Sequence, residues 1–338
     1  MNTSCTPDVN FLDSPQFLAI SMHIVTATVT PFHLLGLYCI LYKTPAQMKA
    51  VKWYLLNLHV SVMFFDNSVT LLGIPFILAT RLAGYSLGLL KFSSYSFLVT
   101  MAVSVLSLQS VFIAISGIFE SRFRVICKFR WVEKWKKLVS PFFLPYQYIV
   151  YPSHLACCVF LIPDQESALK ELFKTLPCLP REIYEAPIYV IIEDMRYPML
   201  MIVLNVAAVT IQILFFVLCL VSSSLTQLKE KKMSLKTFQM QKQFLIAVIV
   251  QSTAPIICFM VPLFYFIFAF FLAYYNQGMI NCLLVIASIH GLISTIAMMV
   301  LHRPYREVLS SMIVKTPEVK RLKVLQLSTI SRSKIVVL

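Results

Sequence analysis

Asp66 is the one carboxylate inside any long apolar run of this chain, and no lysine or arginine lies in those runs to neutralise it. A charge placed there is handled by protonation, by hydrogen bonds, or by a hydrated cavity that holds a cation. Asp66 therefore reads either as an intramembrane switch or ion site, or as a carboxyl hydrogen-bonded for packing alone. Other polar groups share the apolar runs: Asn57 and His59, then Ser104, Ser107 and Gln109, then Gln251, then His290, Ser294 and Thr295. In a bundle surrounded by lipid such groups face inward, where interhelical hydrogen bonds contribute about 0.6 to 2 kcal/mol each. Helix-to-helix bonding accounts for most of them. His290 and Ser294, four residues apart, share one helix face, where the imidazole is a structural group, a ligand contact or a proton relay.

Soluble-enzyme chemistry has no foothold here. There is no HExxH, no P-loop and no GxGxxG, and the whole chain has only seven glycines. The six histidines are scattered over different runs without metal-ligand spacing. Neither an enzyme activity nor a cofactor or metal is expected.

The elements that position these groups follow from charge. All 29 lysines and arginines fall outside seven apolar stretches, at about 17–42, 53–80, 95–119, 139–162, 198–221, 243–272 and 279–301. A bilayer filters charge in this way, because a cation at the hydrocarbon centre costs about 2.5 to 3.5 kcal/mol on insertion scales. Each stretch also exceeds the roughly 20 residues needed to cross about 30 Å of hydrocarbon. With 59% hydrophobic and 13% charged residues and a mean hydropathy of +0.79, the chain lies outside soluble composition. The expected fold is all-α: a polytopic membrane protein with a seven-transmembrane helix bundle over 17–301. Pro255 and Pro262 should kink the sixth span.

Lysine and arginine also divide between alternate connections, 23 on one side and 6 on the other. The positive-inside rule then puts the N-terminus, 1–16, outside and the C-terminus in the cytosol. Nine acidic residues lie on the outer side. The net charge of +14 is spread over several connections and flanks the apolar helices, which points to anionic membrane lipids and a cytosolic partner, with no nucleic acid. After the last span, Tyr305, Val308, Leu309, Met312 and Ile313 recur at helical spacing, so 302–314 should be a short amphipathic helix on the membrane surface. The basic tail 315–338 is expected to be disordered, and it carries no cysteine for a lipid anchor. Asn2 opens a glycosylation sequon on the outer side. Of nine cysteines, Cys5 and Cys178 are the two in the outer compartment. They are either bridged or two free thiols.

The local sequence then narrows the family. Met233-Ser234-x-x-Thr237-x-x-x-Gln241-x-x-Phe244-x-x-Ala247-x-x-x-Gln251-x-x-x-Pro255, entering span six, resembles the signature of nematode serpentine chemoreceptors of the Str superfamily. Within that group the chain is most similar to class H (Srh). The matching segments are Ser14-Pro15-x-Phe17, Lys43-Thr44-Pro45 with Met48-Lys49 and Val51-Lys52-Trp53, Leu56-Asn57-Leu58-His59, and Ala83-Gly84-Tyr85 with Gly88-Leu89-Leu90. Leu176-Pro177-Cys178-Leu179-Pro180, His290-Gly291-Leu292-x-Ser294-Thr295 and His302-Arg303-Pro304-Tyr305-Arg306 follow in order. Each match is short, and their co-occurrence along nearly the whole chain carries the resemblance.

That resemblance implies a chemosensory G-protein-coupled receptor, multi-pass in the plasma membrane and carried in the cilia of sensory neurons. It would bind a small-molecule cue from the outer side and activate a heterotrimeric G protein. Glu120-Ser121-Arg122-Phe123 ends span three where a D/E-R-Y motif would stand, with an extra serine between acid and base. Glu120 and Arg122 are thus candidates for G-protein coupling, the other reading of Arg122 being a plain positive-inside arginine. The NPxxY motif is missing from span seven, and no cysteine tops span three. Thr100, Ser104, Met201, Tyr265 and Asn281 are candidate ligand-pocket positions by depth and side-chain type, although Tyr265 equally suits an aromatic belt. A seven-span ligand-gated channel resembling insect odorant receptors is the rival, with an inside N-terminus that the charge division opposes. A transporter lacks the internal repeat it needs, and a membrane scaffold without ligand is a further alternative. The sequence sets no oligomeric state.

Overall fold

A computed structural model of the chain describes residues 10–78, 81–176, 179–272 and 274–313. Asn2, Cys5 and Cys178, and with them the sequon and the possible bridge, lie outside the described residues, as does the tail 315–338.

The first helix, α1 (Pro15–Lys43), begins where Ser14 accepts from the Phe17 N–H and Pro15 takes the first helical position, both strong start signals. Its 29 residues rise about 1.5 Å each, enough to cross a bilayer. The next helix, α2 (Lys49–Asn67), widens into a π-type turn over Ser68–Gly73 and stops at Ile74, whose φ of 44° is left-handed. Then come β1 (Pro75–Leu78) and β2 (Leu82–Ser86), a hairpin with Pro75 opposite Ser86 and Leu78 opposite Ala83. The helix expected over 53–80 thus ends by Gly73, and Ile74 to Leu78 are apolar because a strand is buried there. Hydropathy alone does not separate a buried strand from the end of a span, and Pro75 suits the first position of an edge strand.

A long α3 (Ser96–Ile126) follows, then α4 (Val132–Leu138) and α5 (Ser140–Val159). Between α5 and the next long helix lie α6 (Gln165–Thr175), the single turn α7 (Arg181–Tyr184) and β3 (Tyr189–Ile192). The last of these pairs antiparallel with β2, giving a three-stranded sheet in the order β1-β2-β3. Sheet and helices interlock at Gly84, where an added Cβ would strike the Phe76 carbonyl and lie 2.9 Å from the Phe97 ring of α3. The remaining elements are α8 (Arg196–Lys229), α9 (Leu235–Phe271), α10 (Gln277–Ser288), α11 (His290–Leu301) and α12 (Arg303–Ile313).

Among the described residues six helices are long and apolar enough to cross a membrane: α1, α2 with its turn, α3, α8, α9, and α10 with α11 as one segment. The fourth expected span corresponds to α5, which has 20 residues, two internal prolines, and a sequence diluted by Tyr146, Gln147, Tyr148 and Tyr151. The seventh is interrupted at Ile289, whose N–H bonds only three residues back, to Ile286. Pro255 and Pro262 both lie inside α9.

The core runs along the bundle axis from Leu18 and Met22 of α1 through Leu58 of α2 and Ile115 of α3 to Phe216 of α8. Outward-facing side chains are apolar too: Ile211, Leu214 and Leu218 on α8 and Phe264 and Phe268 on α9 are exposed, the surface a lipid solvent requires. At the end opposite the sheet, Phe123 of α3 packs edge-on to Trp135 of α4 at 5.7 Å and against Phe216 at 5.4 Å. There α12 docks through Tyr305, fully buried, whose hydroxyl is 2.8 Å from that of Thr44.

Candidate functional site

Asp66 is buried on the last turn of α2 and meets two imidazoles. Its Oδ2 is 2.7 Å from His33 Nε2 of α1, and its Oδ1 is 3.3 Å from His290 Nδ1 at the start of α11. His33 is fixed from behind by Thr295, whose hydroxyl lies 3.2 Å from Nδ1, and its own carbonyl is 2.9 Å from His59 Nε2. The backbone of α11 comes so close at Gly291 that a Cβ there would collide with Asp66 Oδ2. On the sheet side of the carboxylate, the Thr70 hydroxyl donates to the Asp66 carbonyl, and Thr26 and Thr70 hydroxyls are 2.8 Å apart. The far face of the His290 ring is apolar, with Phe259 at 4.8 Å and Phe65 at 5.2 Å between centroids.

The cluster joins α1, α2 and α11. Asp66, His59, His290 and Thr295 were legible as intramembrane polar groups. His33 carries no comparable mark in the sequence, because the first apolar stretch holds two histidines, His23 and His33, and only the fold brings one of them to Asp66. What the arrangement can do chemically is hold charge and hydrogen away from water: one carboxylate faces two ring nitrogens, in a bundle that desolvates all of them.

Glu120 and Arg122 do not act on each other. Glu120 is buried and faces α4 and α2: Trp135 Nε1 donates to it at 3.1 Å and Arg124 Nε at 3.0 Å, while Arg124 also reaches the Tyr54 hydroxyl at 2.6 Å. Arg122 turns the other way, its guanidinium carbon 3.8 Å from the centroid of Phe244 on α9. Phe244 in turn lies 5.5 Å from the ring of His302, at the junction of α11 and α12. Burial, and next the Arg122 charge, lower the His302 pKa from 6.5 to about 4. Two residues of one short motif thus serve two interfaces, and the partners Trp135, Phe244 and His302 were beyond sequence reasoning. Beside them, a cleft of about 350 Å³ opens between the ends of α3, α8 and α9, lined by Lys128, Gln227, Lys232, Thr237 and Gln241 among others.

The pocket candidates at the sheet-bearing end separate into different contacts. Thr100 is buried with its hydroxyl 2.8 Å from that of Ser86 on β2. Ser104 is buried and its Oγ has no hydrogen-bond partner among the described residues. Asn281 donates to the Leu12 carbonyl at 2.8 Å and accepts from Gln277 at 2.9 Å, so it fastens the N-terminal turn over α10. Tyr265 donates to the Asn276 carbonyl at 3.3 Å, and Met201 is half-buried on α8. Above them, Arg81 ties the hairpin to the segment after β3 through Glu193 at 3.0 Å.

Comparison with known proteins places these features in a family context. The family described as "Serpentine type 7TM GPCR chemoreceptor Srh" matches residues 13–315. Serpentine receptor class H-72 of Caenorhabditis elegans is 26% identical over 323 residues, covering 94% of this chain and 91% of that protein.

Proposed function

This chain belongs to the Srh family of serpentine seven-transmembrane chemoreceptors of the G-protein-coupled type, and we propose that it binds a small-molecule cue at its sheet-bearing, outer end and activates a heterotrimeric G protein at the other. The charge division of 23 to 6 supports this orientation. One observation carries the coupling: the Arg122 guanidinium is folded onto Phe244, joining α3 to α9 beside the cleft at the end that the charge rule puts in the cytosol.

In this reading the contact between Arg122 and Phe244 holds the receptor closed. Ligand favours a conformer in which α9 moves away, the cleft widens, and Arg122 is released towards the G protein. A ligand shifts that equilibrium only by its difference in affinity for the two conformers. Glu120 keeps the end of α3 anchored to α4 through Trp135, so it positions Arg122 without touching it. Asp66 is the intramembrane switch linking the outer and inner halves. Thr100, Ser104, Met201, Tyr265 and Asn281 line the route of the cue, with Asn281 acting on the N-terminal turn that closes it. The basic face of α12 rests on anionic lipid, and the plasma membrane of sensory cilia is the site of action that the family suggests.

The test is Arg122→Ala in cells, read as cue-driven nucleotide exchange at equal surface density. The expected result is loss of signalling with surface expression kept, and normal signalling refutes the coupling role. Tags on each terminus, probed on intact and then permeabilised cells, check the orientation. A hidden N-terminus and an exposed C-terminus would favour the inverted channel.

A further inference from the structure

The hydrogen-bond directions around Asp66 leave a place for one proton beyond those that neutral imidazoles supply. The Ala287 carbonyl only accepts, so His290 Nδ1, 2.9 Å from it, carries a hydrogen. The same N–H lies 3.3 Å from Asp66 Oδ1. His33 Nε2, at 2.7 Å from Oδ2, likewise donates to the ionised carboxylate. Of the two rings facing Asp66, two nitrogens remain: His290 Nε2, which is buried with no hydrogen-bond partner among the described residues, and His33 Nδ1, 3.2 Å from the Thr295 hydroxyl and so the one with a partner that can receive a proton. A hydroxyl donates to a bare ring nitrogen or accepts from a protonated one, so His33 can be neutral or charged with neither nitrogen left unpaired. His59 does not compete for this role, since its Nε2 is committed as donor to the His33 carbonyl.

Charge decides between the two states. With all rings neutral, the contact holds one uncompensated negative charge in a medium that penalises it; one added proton turns it into an ion pair with no net charge. The titratable groups facing it are His33 from α1, His59 and Asp66 from α2, and His290 from α11. Against the cluster α9 brings Phe259, and α3 brings Ser107, 3.2 Å from Ser68. No lysine or arginine pairs with Asp66 among the described residues.

We propose that His33, Asp66 and Thr295, with the His290 ring beside the carboxylate, form a binding site for one exchangeable proton that fastens α1, α2 and α11 together. The proton enters as a second N–H on His33 Nδ1, and Thr295 switches from donor to acceptor to receive it. Occupancy belongs to the coupled group as a whole. This deepens the reading of Asp66 as a switch, because gain or loss of the proton changes the charge at the joint between three spans. It rests on the receptor reading only for its consequence in signalling.

The test uses the full chain in lipid nanodiscs, with histidine ring nitrogens labelled and followed by NMR between about pH 5 and about pH 8, a window around the ordinary imidazole value of about 6.5. The expected result is a one-proton step in a buried ring that disappears in Asp66→Asn. Thr295→Val, which leaves the carboxylate and both imidazoles in place, should weaken or remove the step, since the acceptor for the added N–H is lost. Buried rings that keep one protonation pattern throughout the window overturn the proposal, and so does a step unchanged in both variants. The wild-type titration decides even if Asp66→Asn does not fold. No arm depends on signalling, so absence of G-protein coupling would count against the receptor reading and leave the proton site standing.

Discussion

Replacing Phe244 by leucine should make the receptor signal without its cue. The guanidinium of Arg122 sits 3.8 Å from the centre of the Phe244 ring, with its Nε buried and without a hydrogen-bond partner, so the ring face is the interaction that compensates its burial at that point. Cation–π contacts contribute about 0.5 to 1 kcal/mol at exposed sites and about 2 kcal/mol or more when desolvated. This contact belongs towards the upper part of that range. Leucine retains much of the apolar volume and loses the quadrupole, which removes about 1 to 2 kcal/mol from the closed conformer and raises the open population roughly 5- to 30-fold. The assay is nucleotide exchange on the G protein without cue, normalised to receptor at the cell surface, with Phe244→Trp as the variant that keeps a ring face. Basal exchange in Phe244→Leu equal to wild type, at matched surface density, would refute the proposed latch between α3 and α9.

Two further outcomes follow from burial. Gly291→Ala should lower the thermal midpoint of the purified receptor, because the new methyl collides with Asp66 Oδ2 and overpacking of this kind costs about 1 to 3 kcal/mol; Gly117→Ala, whose Cβ would meet the flexible Leu144 side chain at 3.0 Å and the Tyr54 ring at an ordinary 3.6 Å, should be milder, and a reversed order contradicts the packing described here. His302, held at about 4 by burial and then by Arg122, binds its proton more readily once unfolded, at its ordinary value of about 6.5. The stability it contributes is complete above about pH 6.5 and is lost as pH falls towards about 4. His302→Gln should therefore flatten the acid limb of a plot of stability against pH over that window, and an acid limb identical to wild type would show that the ring is not desolvated in the folded protein.

How much could be read in advance depended on which interactions are local. Hydrocarbon acts on each residue where it stands, so a lysine or arginine is excluded from a span whatever its neighbours are. The apolar stretches, the segment after the last of them that became α12, and Asp66 as the anomaly among them were all written in residue type. The end of α2 was not legible, because Ile74 to Leu78 are equally apolar as a buried strand or as a span, and the strand exists only through β2 and β3. The break at Ile289 left no mark in hydropathy either.

Side-chain partnerships needed the folded bundle. The sequence by itself determined that a carboxylate would lie in the membrane with no lysine or arginine beside it; the tertiary structure decided that His33, 33 residues away, and His290, far along the chain, would supply its partners. It also turned Glu120 and Arg122, two positions apart, to opposite sides of α3. The physical reason is that a contact between helices depends on each helix's depth, rotation and neighbour. Those are set by the packing of the whole bundle, whereas membrane insertion responds to composition one stretch at a time.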